Sequence, residues 1–349
     1  MNIGVFSDLH IRLYKNNETM YPFMIKTFDN FYELCEQKKV KKVLILGDMF
    51  HIKNLISSIL LSKSIEYFRN KMKQIEHIII VGNHDRINKE SHFLKIFKND
   101  CKVIEDYEYF DFDKNIRLHF LPFFPDEELF NKFKLIKKIK GKNYLFTHLA
   151  INGFSYDNGH EEIFSSLTLE DLNKLKFNHI FSGHFHSYQT KKNITYVSSP
   201  LQIKHGEEGP NGFIFFDSKN PEKYEFIPNK YSPKFISIDF NKENIKQIKK
   251  IKNSFIRILI PNKKLKVDSR VLNNFKNKLL ENNYDVKFIT KDDSSIESLS
   301  NVLIPSITGW DSFIHSDSNE LIKEFLNNNT QIKKEDKEKY FNFLFNSIR

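Results

Sequence analysis

Val43-Leu44-Ile45-Leu46-Gly47-Asp48-Met49-Phe50-His51 is the stretch on which the fold turns. Its four apolar residues read as a buried strand, and the run stops at Gly47-Asp48, where a chain leaves a sheet. The pattern recurs on either side. Residues 3–7 form a short run leading into Asp8-Leu9-His10, and Ile78-Ile79-Ile80-Val81 leads into Gly82-Asn83-His84-Asp85. Helix-spaced segments separate the three runs: residues 21–37, with Phe23, Phe28, Phe31 and Leu34 on one stripe, and residues 55–72. Such alternation predicts an α/β sheet with parallel strands, and polar residues cluster where open α/β sheets gather ligands, just beyond the strands' C-terminal ends.

Further along, residues 102–104, 107–111 and 116–121 are expected to pair antiparallel. Residues 143–146 end at Thr147-His148. Thr168 is expected to cap a short helix, 169–175, before residues 179–181 run into Ser182-Gly183-His184. Residues 196–197 and 212–217 complete a strand-rich half. The simplest assembly is a β-sandwich flanked by helices, α/β in class and α+β by strict definition. A main domain of residues 1–229 is therefore expected. Beyond the prolines at 228 and 233 lies a small α+β unit, 230–291, with strands 235–240, 255–260 and 286–290 and helices 243–252 and 268–281. A Ser/Asp-rich linker, 292–317, leads to a tail, 318–349. The tail holds two helical stretches, the second carrying Tyr340, Phe341, Phe343, Leu344 and Phe345.

The 349 residues are 40% hydrophobic with 35 Phe, enough for a substantial core. No run of about eighteen apolar residues exists, and the first residues read as a strand rather than a leader, so no membrane segment and a cytoplasmic setting are expected. Cys35 and Cys101 form no ligand pattern and read as core thiols. The net charge of +10 is uneven: residues 230–291 hold 16 Lys and Arg against 5 Asp and Glu, a local +11. A strongly basic block beside a neutral domain suits a polyanion such as nucleic acid, although Lys and Asn are abundant throughout.

The chemistry lies in five pieces taken together: Asp8-x-His10, Gly47-Asp48, Gly82-Asn83-His84-Asp85, Thr147-His148 and Gly183-His184-x-His186. Singly, each is weak, since a lone histidine on a strand is more often a core residue than a ligand. Each piece, however, follows a strand, so all can meet at one sheet edge. Two carboxylates, an amide oxygen and several imidazoles make a mixed oxygen and nitrogen donor set, suited to Mn, Fe or Zn. Two ions a few Å apart would polarise a phosphate and activate a water, with Asp48 the natural bridge because a carboxylate offers an oxygen to each. Asp85 either orients His84 or caps the following turn. His160, His179 and His205 lie off the strand ends and read as non-ligands.

The ordered set resembles the calcineurin-like metallophosphoesterases, and within them the SbcD-type double-strand-break nucleases, including small subunits of bacteriophage recombination nucleases. The resemblance spans roughly residues 1–235 and includes Gly47-Asp48-Met49-Phe50-His51, Leu121-Pro122-Phe123, Ser199-Pro200, Gly212-Phe213 and Glu225-Phe226-Ile227-Pro228-Asn229. It implies one metal on Asp8, His10, Asp48 and His186, and a second on Asp48, Asn83, His148 and His184. It implies two divalent ions, Mn2+ or Mg2+, with double-strand exonuclease and single-strand endonuclease activity. His84 would face the phosphate and serve the leaving oxygen, and His51 would position DNA. The resemblance further implies a homodimer bound through its tail to a large SbcC-type coiled-coil ATPase, with residues 230–291 capping the site against DNA. Arg12 stands where the family often has Gly, and with Lys53 and Arg86 it is a candidate DNA contact. A phosphomonoesterase or small-molecule phosphodiesterase is the rival reading. The phosphoprotein phosphatase signature Gly-Asp-x-x-Asp-Arg-Gly is absent, Gly47-Asp48 being followed by Met49-Phe50-His51-Ile52-Lys53. A non-catalytic DNA-binding subunit is a second rival, disfavoured because all seven ligand positions are filled.

Overall fold

The structure is a computed structural model that describes residues 1–11, 17–51, 58–88, 91–155, 165–207, 209–241, 244–260 and 269–290. The expected linker and tail, and with them Arg12, Lys53 and His160, lie outside the described residues.

Within Met1–Ile289, one compact unit, the elements follow as β1 (Asn2–Phe6), α1 (Asn17–Gln37), β2 (Val40–Ile45), α2 (Ser58–Met72), β3 (Glu76–Ile80), β4 (Lys102–Ile104), β5 (Glu108–Asp113), β6 (Ile116–Leu121) and α3 (Asp126–Lys134). They continue with β7 (Lys142–His148), α4 (Leu169–Lys174), β8 (His179–Gly183), β9 (Gln189–Lys191), β10 (Ile194–Tyr196), β11 (Gly212–Asp217) and β12 (Glu225–Pro228). The chain then forms β13 (Lys234–Asp239), α5 (Ile245–Ile248), β14 (Ser254–Ile260), α6 (Ser269–Leu280) and β15 (Asp285–Thr290).

Two six-stranded mixed sheets face each other, ordered β12-β11-β1-β2-β3-β4 and β5-β6-β7-β8-β10-β9. The two-residue period of a strand assigns each face to its layer. Ile3 and Val5 point into the inter-sheet core with Leu44, Leu46, Ile78 and Ile80, where Phe146 stacks on Phe120, Phe181 and Phe216. Phe6, Val43 and Ile45 face the other way, onto Phe28 and Phe31 of α1 and Phe68 of α2. The outer face of the second sheet is covered by Leu129 of α3, Leu172 of α4 and Phe154. Helices on both outer sides and two sheets between them match the expected architecture. Thr168 caps α4 as anticipated, in a reciprocal pair with Asp171.

Two local expectations are corrected, and one hairpin is new. Residues 102–104 do not pair antiparallel: β4 runs parallel to β3, Ile79 opposite Val103. The loop and single 3-10 turn between them give the chain the length a parallel crossover needs, which periodicity does not reveal. Antiparallel pairing holds for β5 with β6, but β6 then runs parallel to β7. The helix expected over 243–252 is a single turn, because after Ile248 only Ile251 offers an apolar side chain among Lys249, Lys250 and Lys252. The hairpin β9–β10 was not foreseen, its first strand being the polar Gln189-Thr190-Lys191.

The basic segment forms a third sheet, β13-β14-β15, closed by Ile248, Ile256, Ile258, Leu279 and Val286. Phe23 of α1 meets Tyr284 edge-on, and the amide of Gln202 pairs with the backbone of Phe235 in both directions, 3.0 and 3.1 Å. No helix among the described residues is long and apolar enough to cross a membrane.

Candidate metal centre

The C-terminal ends of β1, β2, β3, β7 and β8 bring the five pieces together, as the strand order requires. The loops are tied to one another before any ligand is considered: Asp8 N–H donates to Gly47 O (3.0 Å), His10 N–H to Asp48 O (2.9 Å) and Ile11 N–H to Met49 O (3.0 Å). Asp8, His10, Asp48 and His184 all sit at positive φ, 55°, 47°, 53° and 99°. Each such residue costs on the order of 1 kcal/mol, and the strain turns side chains at strand ends toward one focus. Gly47, at φ 86°, has no room for a Cβ, which would lie 2.6 Å from His148 Nδ1.

Ligand atoms of Asp8, His10 and His186 come within 4.8 Å of one another, as do those of Asp8, Asp48 and His148, and those of His10, His51 and His84. His10 Nε2 and His186 Nε2 face each other at 2.9 Å. Asn83 Oδ1 lies 3.0 Å from His148 Nε2 and 3.2 Å from His184 Nδ1. Asp48 Oδ2 is 3.5 Å from His10 Nε2 and 3.3 Å from His148 Nε2, so one oxygen faces both halves. Its Oδ1 accepts the N–H of His84 at 2.8 Å.

The electrostatics are those of a cluster assembled for cations. Burial raises the Asp8 carboxyl to about 6, against the pull of His148 and His186. Burial also acts to raise Asp48, yet the imidazoles of His148, His84 and His10 outweigh it and hold that carboxyl well below its usual value. Burial would depress His148, but Asp48 and Asp8 carry it up to about 9. Burial drives His10 far down and His184 to about 3, keeping both as neutral donors. Buried anions and neutral imidazole lone pairs converging on one focus are what a divalent-ion site needs. The donor set present fits a pair of such ions.

His84 stacks on His51, centroids 4.1 Å apart, and meets His10 edge-on. His51 Nδ1 lies 2.9 Å from His10 Nδ1, so His51 touches a candidate ligand. Arg86 turns onto the protein, donating to Phe123 O at 2.9 Å with its guanidinium over the Phe124 ring. His179 is bonded to Thr195 Oγ1 at 2.9 Å, and His205 packs on Phe235, both away from the cluster.

Two acids do more than the sequence revealed. Asp85 neither orients His84 nor merely caps a turn. It is fully buried and accepts three backbone N–H groups, from Asp48 (2.8 Å), Phe50 (3.0 Å) and Gly82 (3.0 Å), lashing the β2 loop to the β3 loop. Burial, and then Asp48, lift its carboxyl to about 7. Glu207 is buried beneath His186, Oε1 at 2.6 Å from Nδ1. Asp85 had a signal in its place beside Asn83-His84; Glu207, in an irregular loop, had none.

Residues 1–188 match the calcineurin-like phosphoesterase family, more than half of the chain. The chain belongs to the calcineurin-like phosphoesterases. As a member it is a metal-dependent phosphodiesterase-type hydrolase of a family that uses a dimetal centre, and the cluster above offers candidate His and Asp metal-binding groups. Among curated relatives, exonuclease subunit 1 of Enterobacteria phage T4 is 25% identical over 320 residues, covering 85% of this chain and 86% of its own. A putative phosphoesterase of Invertebrate iridescent virus 6 is 26% identical, covering 58% of this chain and 74% of its own. Among solved structures, a dimetal phosphatase from Danio rerio aligns with TM-score 0.37 at 10% identity, over 62% of this chain and 91% of that one. Pseudomonas putida nuclease MPE aligns with TM-score 0.27 at 18% identity, over 46% and 66%. Superpositions this partial add no weight to the family match.

Proposed function

We propose that this phosphoesterase is a DNA nuclease whose two divalent ions, Mn2+ by preference, are held by Asp8, His10, Asp48 and His186 on one side and by Asp48, Asn83, His148 and His184 on the other. The observation that carries the reading is the convergence of these seven side chains at one sheet end, in a unit that also takes in most of the segment 230–291, where the chain's excess positive charge lies. The similarity to a phage exonuclease subunit, over 85% of this chain, supports DNA as substrate.

When bound, the ions supply Lewis acidity to the phosphate and lower the pKa of an attacking water. The chain's own residues do the rest. Asp48 brings negative charge to both halves, and Asn83 contributes a neutral oxygen. His84, held by its N–H on Asp48, presents an imidazole able to give a proton to the departing ester oxygen. His51 steadies His10 and flanks His84, and DNA positioning by His51 is part of the proposal. Lysines of the β13-β14-β15 unit bind the sugar-phosphate backbone without regard to sequence, so affinity falls steeply with salt.

The test is Mn-dependent cleavage of linear duplex and single-stranded DNA, with a phosphomonoester alongside. Cleavage of both DNAs is expected, with little monoester hydrolysis; robust monoesterase action without DNA cleavage rejects the nuclease reading. The further proposal of an SbcC-type ATPase partner bound by residues 318–349 predicts that deleting them abolishes co-purification with that partner while hydrolysis of a simple phosphodiester persists. Homodimerisation belongs to the same proposal and is checked by the mass of the full chain in solution.

A further inference from the structure

The loop from Ser199 to Glu207 touches His186 at two points. Ser199 N–H donates to the His186 carbonyl at 2.9 Å, and Glu207 Oε1 meets the ring nitrogen Nδ1 at 2.6 Å. The other oxygen of Glu207 accepts N–H groups from Ile203 (2.6 Å) and Lys204 (3.3 Å), so the carboxylate is fixed before it meets the histidine. The turn aiming it is built on Gly206 at φ 98°, a conformation an L side chain resists. Leu201 and Ile203 anchor the loop in the core beneath α1, and Gln202 pins it to Ser232 and Phe235 of the basic unit. Glu207 is buried to 2% exposure, and among the described residues no Lys or Arg side chain is bonded to it.

A buried carboxylate with no cation partner is costly unless something beyond the histidine draws on it. The geometry points to Glu207 as the residue that positions His186 as a metal ligand: by taking the Nδ1–H it leaves the lone pair on Nε2, the atom that faces His10 Nε2 across the candidate site. Such an outer partner selects the tautomer, aims the ring and strengthens it as a donor. The inference rests on the two-metal reading and adds to it a residue outside the matched family segment, which ends at residue 188. It also joins the loop that docks the basic unit to one half of the metal centre.

The decisive change is Glu207→Gln. Its amide oxygen can serve either the Ile203 and Lys204 N–H groups or His186, but not both. With the amide NH2 turned to Nδ1, the imidazole proton moves to Nε2 and blocks the metal-facing atom. Gln202→Ala loosens the same loop without touching His186. The full-length, metal-free chain is titrated with Mn2+ by calorimetry, and the loaded protein is examined by electron paramagnetic resonance. Wild type is expected to bind two ions as a coupled pair. Glu207→Gln is expected to lose about 10- to 100-fold in affinity at one site only, and at limiting Mn2+ to show an uncoupled single-ion signal. Gln202→Ala is expected to bind both ions as wild type does. Two undiminished sites in Glu207→Gln overturn the positioning role while leaving the two-metal reading intact. Equal losses in Gln202→Ala overturn it too, reducing Glu207 to a packing residue. Fewer than two ions on wild type removes the reading and the inference together. Glu207→Asp, which keeps the charge but retracts it from Nδ1, repeats the measurement should the amide not be accommodated, with the same one-site loss expected and an undiminished pair again fatal.

Discussion

Histidines lie buried at both ends of the strands, and the two ends use them differently. At the N-terminal side and in the interior, His77, His119 and His179 are closed off by neutral partners. His77 meets Tyr32 Oη and the Ile75 carbonyl, His119 meets Tyr107 Oη and Asn143 Oδ1, and His179 meets Thr195 Oγ1. At the C-terminal side, His10, His148, His184 and His186 turn their nitrogens toward one another and toward Asp8, Asp48 and Asn83. His10 and His148 are as buried as the scaffold histidines, and His184 and His186 are half-buried; among the described residues, donor atoms of these histidines are directed at a common focus only at the C-terminal side. That convergence separates the two groups, because a satisfied imidazole stabilises a fold whereas several donors aimed at one point suit a cation.

The contrast breaks most sharply at Asp48, which faces both halves. Asp48→Asn is expected to lower kcat for Mn-dependent phosphodiester cleavage by about 10³-fold or more, measured with a chromogenic diester; activity within tenfold of wild type would deny it a central place. His84→Gln is expected to cost about 10²- to 10⁴-fold in kcat, with two-ion binding by calorimetry unchanged. A lost ion would instead move His84 into the ligand set.

Scaffold histidines should respond through stability. Burial lowers His77, His119 and His179 from 6.5 to about 4, opposed only weakly by Ile75 O, Asn143 and Glu222 respectively. The unfolded chain then takes up protons below 6.5 that the folded chain refuses until about 4, so stability is held above 6.5 and lost as pH falls through that window. Each group contributes up to about 1.4 kcal/mol per pH unit there. His179→Gln is expected to flatten the pH dependence of the metal-free chain's denaturation midpoint between pH 6.5 and 4, and an unchanged slope counts against the neutral buried ring. At pH 7.5 the same substitution is expected to cost only about 1 kcal/mol and to leave both metal sites intact. Loss of a metal there would erase the distinction between the two ends.

Much of this was legible along the chain. The runs ending at Asp8, Asp48, Asn83, His148 and His184 are contiguous, so their periodicity and their polar stops mark both strand and site. The β4 orientation was not legible, since three residues carry no direction and only the crossover from β3 decides it. Nor was Asp85 as a lashing between loops, because its three donors come from segments brought together by sheet order. Glu207 lies far from any motif in sequence, and only folding lays it against His186. Arg86 shows the converse: beside the motif in sequence, it is turned onto Phe123 and Phe124 in space.

By itself the sequence determined the donor types, their order and their station at the strand ends, because alternating apolar runs and polar stops are local properties of the chain. Tertiary structure alone decided which donors share a focus, that Asp48 turns one oxygen to both halves and the other to His84, and that Asp85 and Glu207 stand behind them. Those are relations between segments distant in sequence, set by strand order, by left-handed turns at Asp8, His10, Asp48 and His184, and by the requirement that buried polar groups find partners.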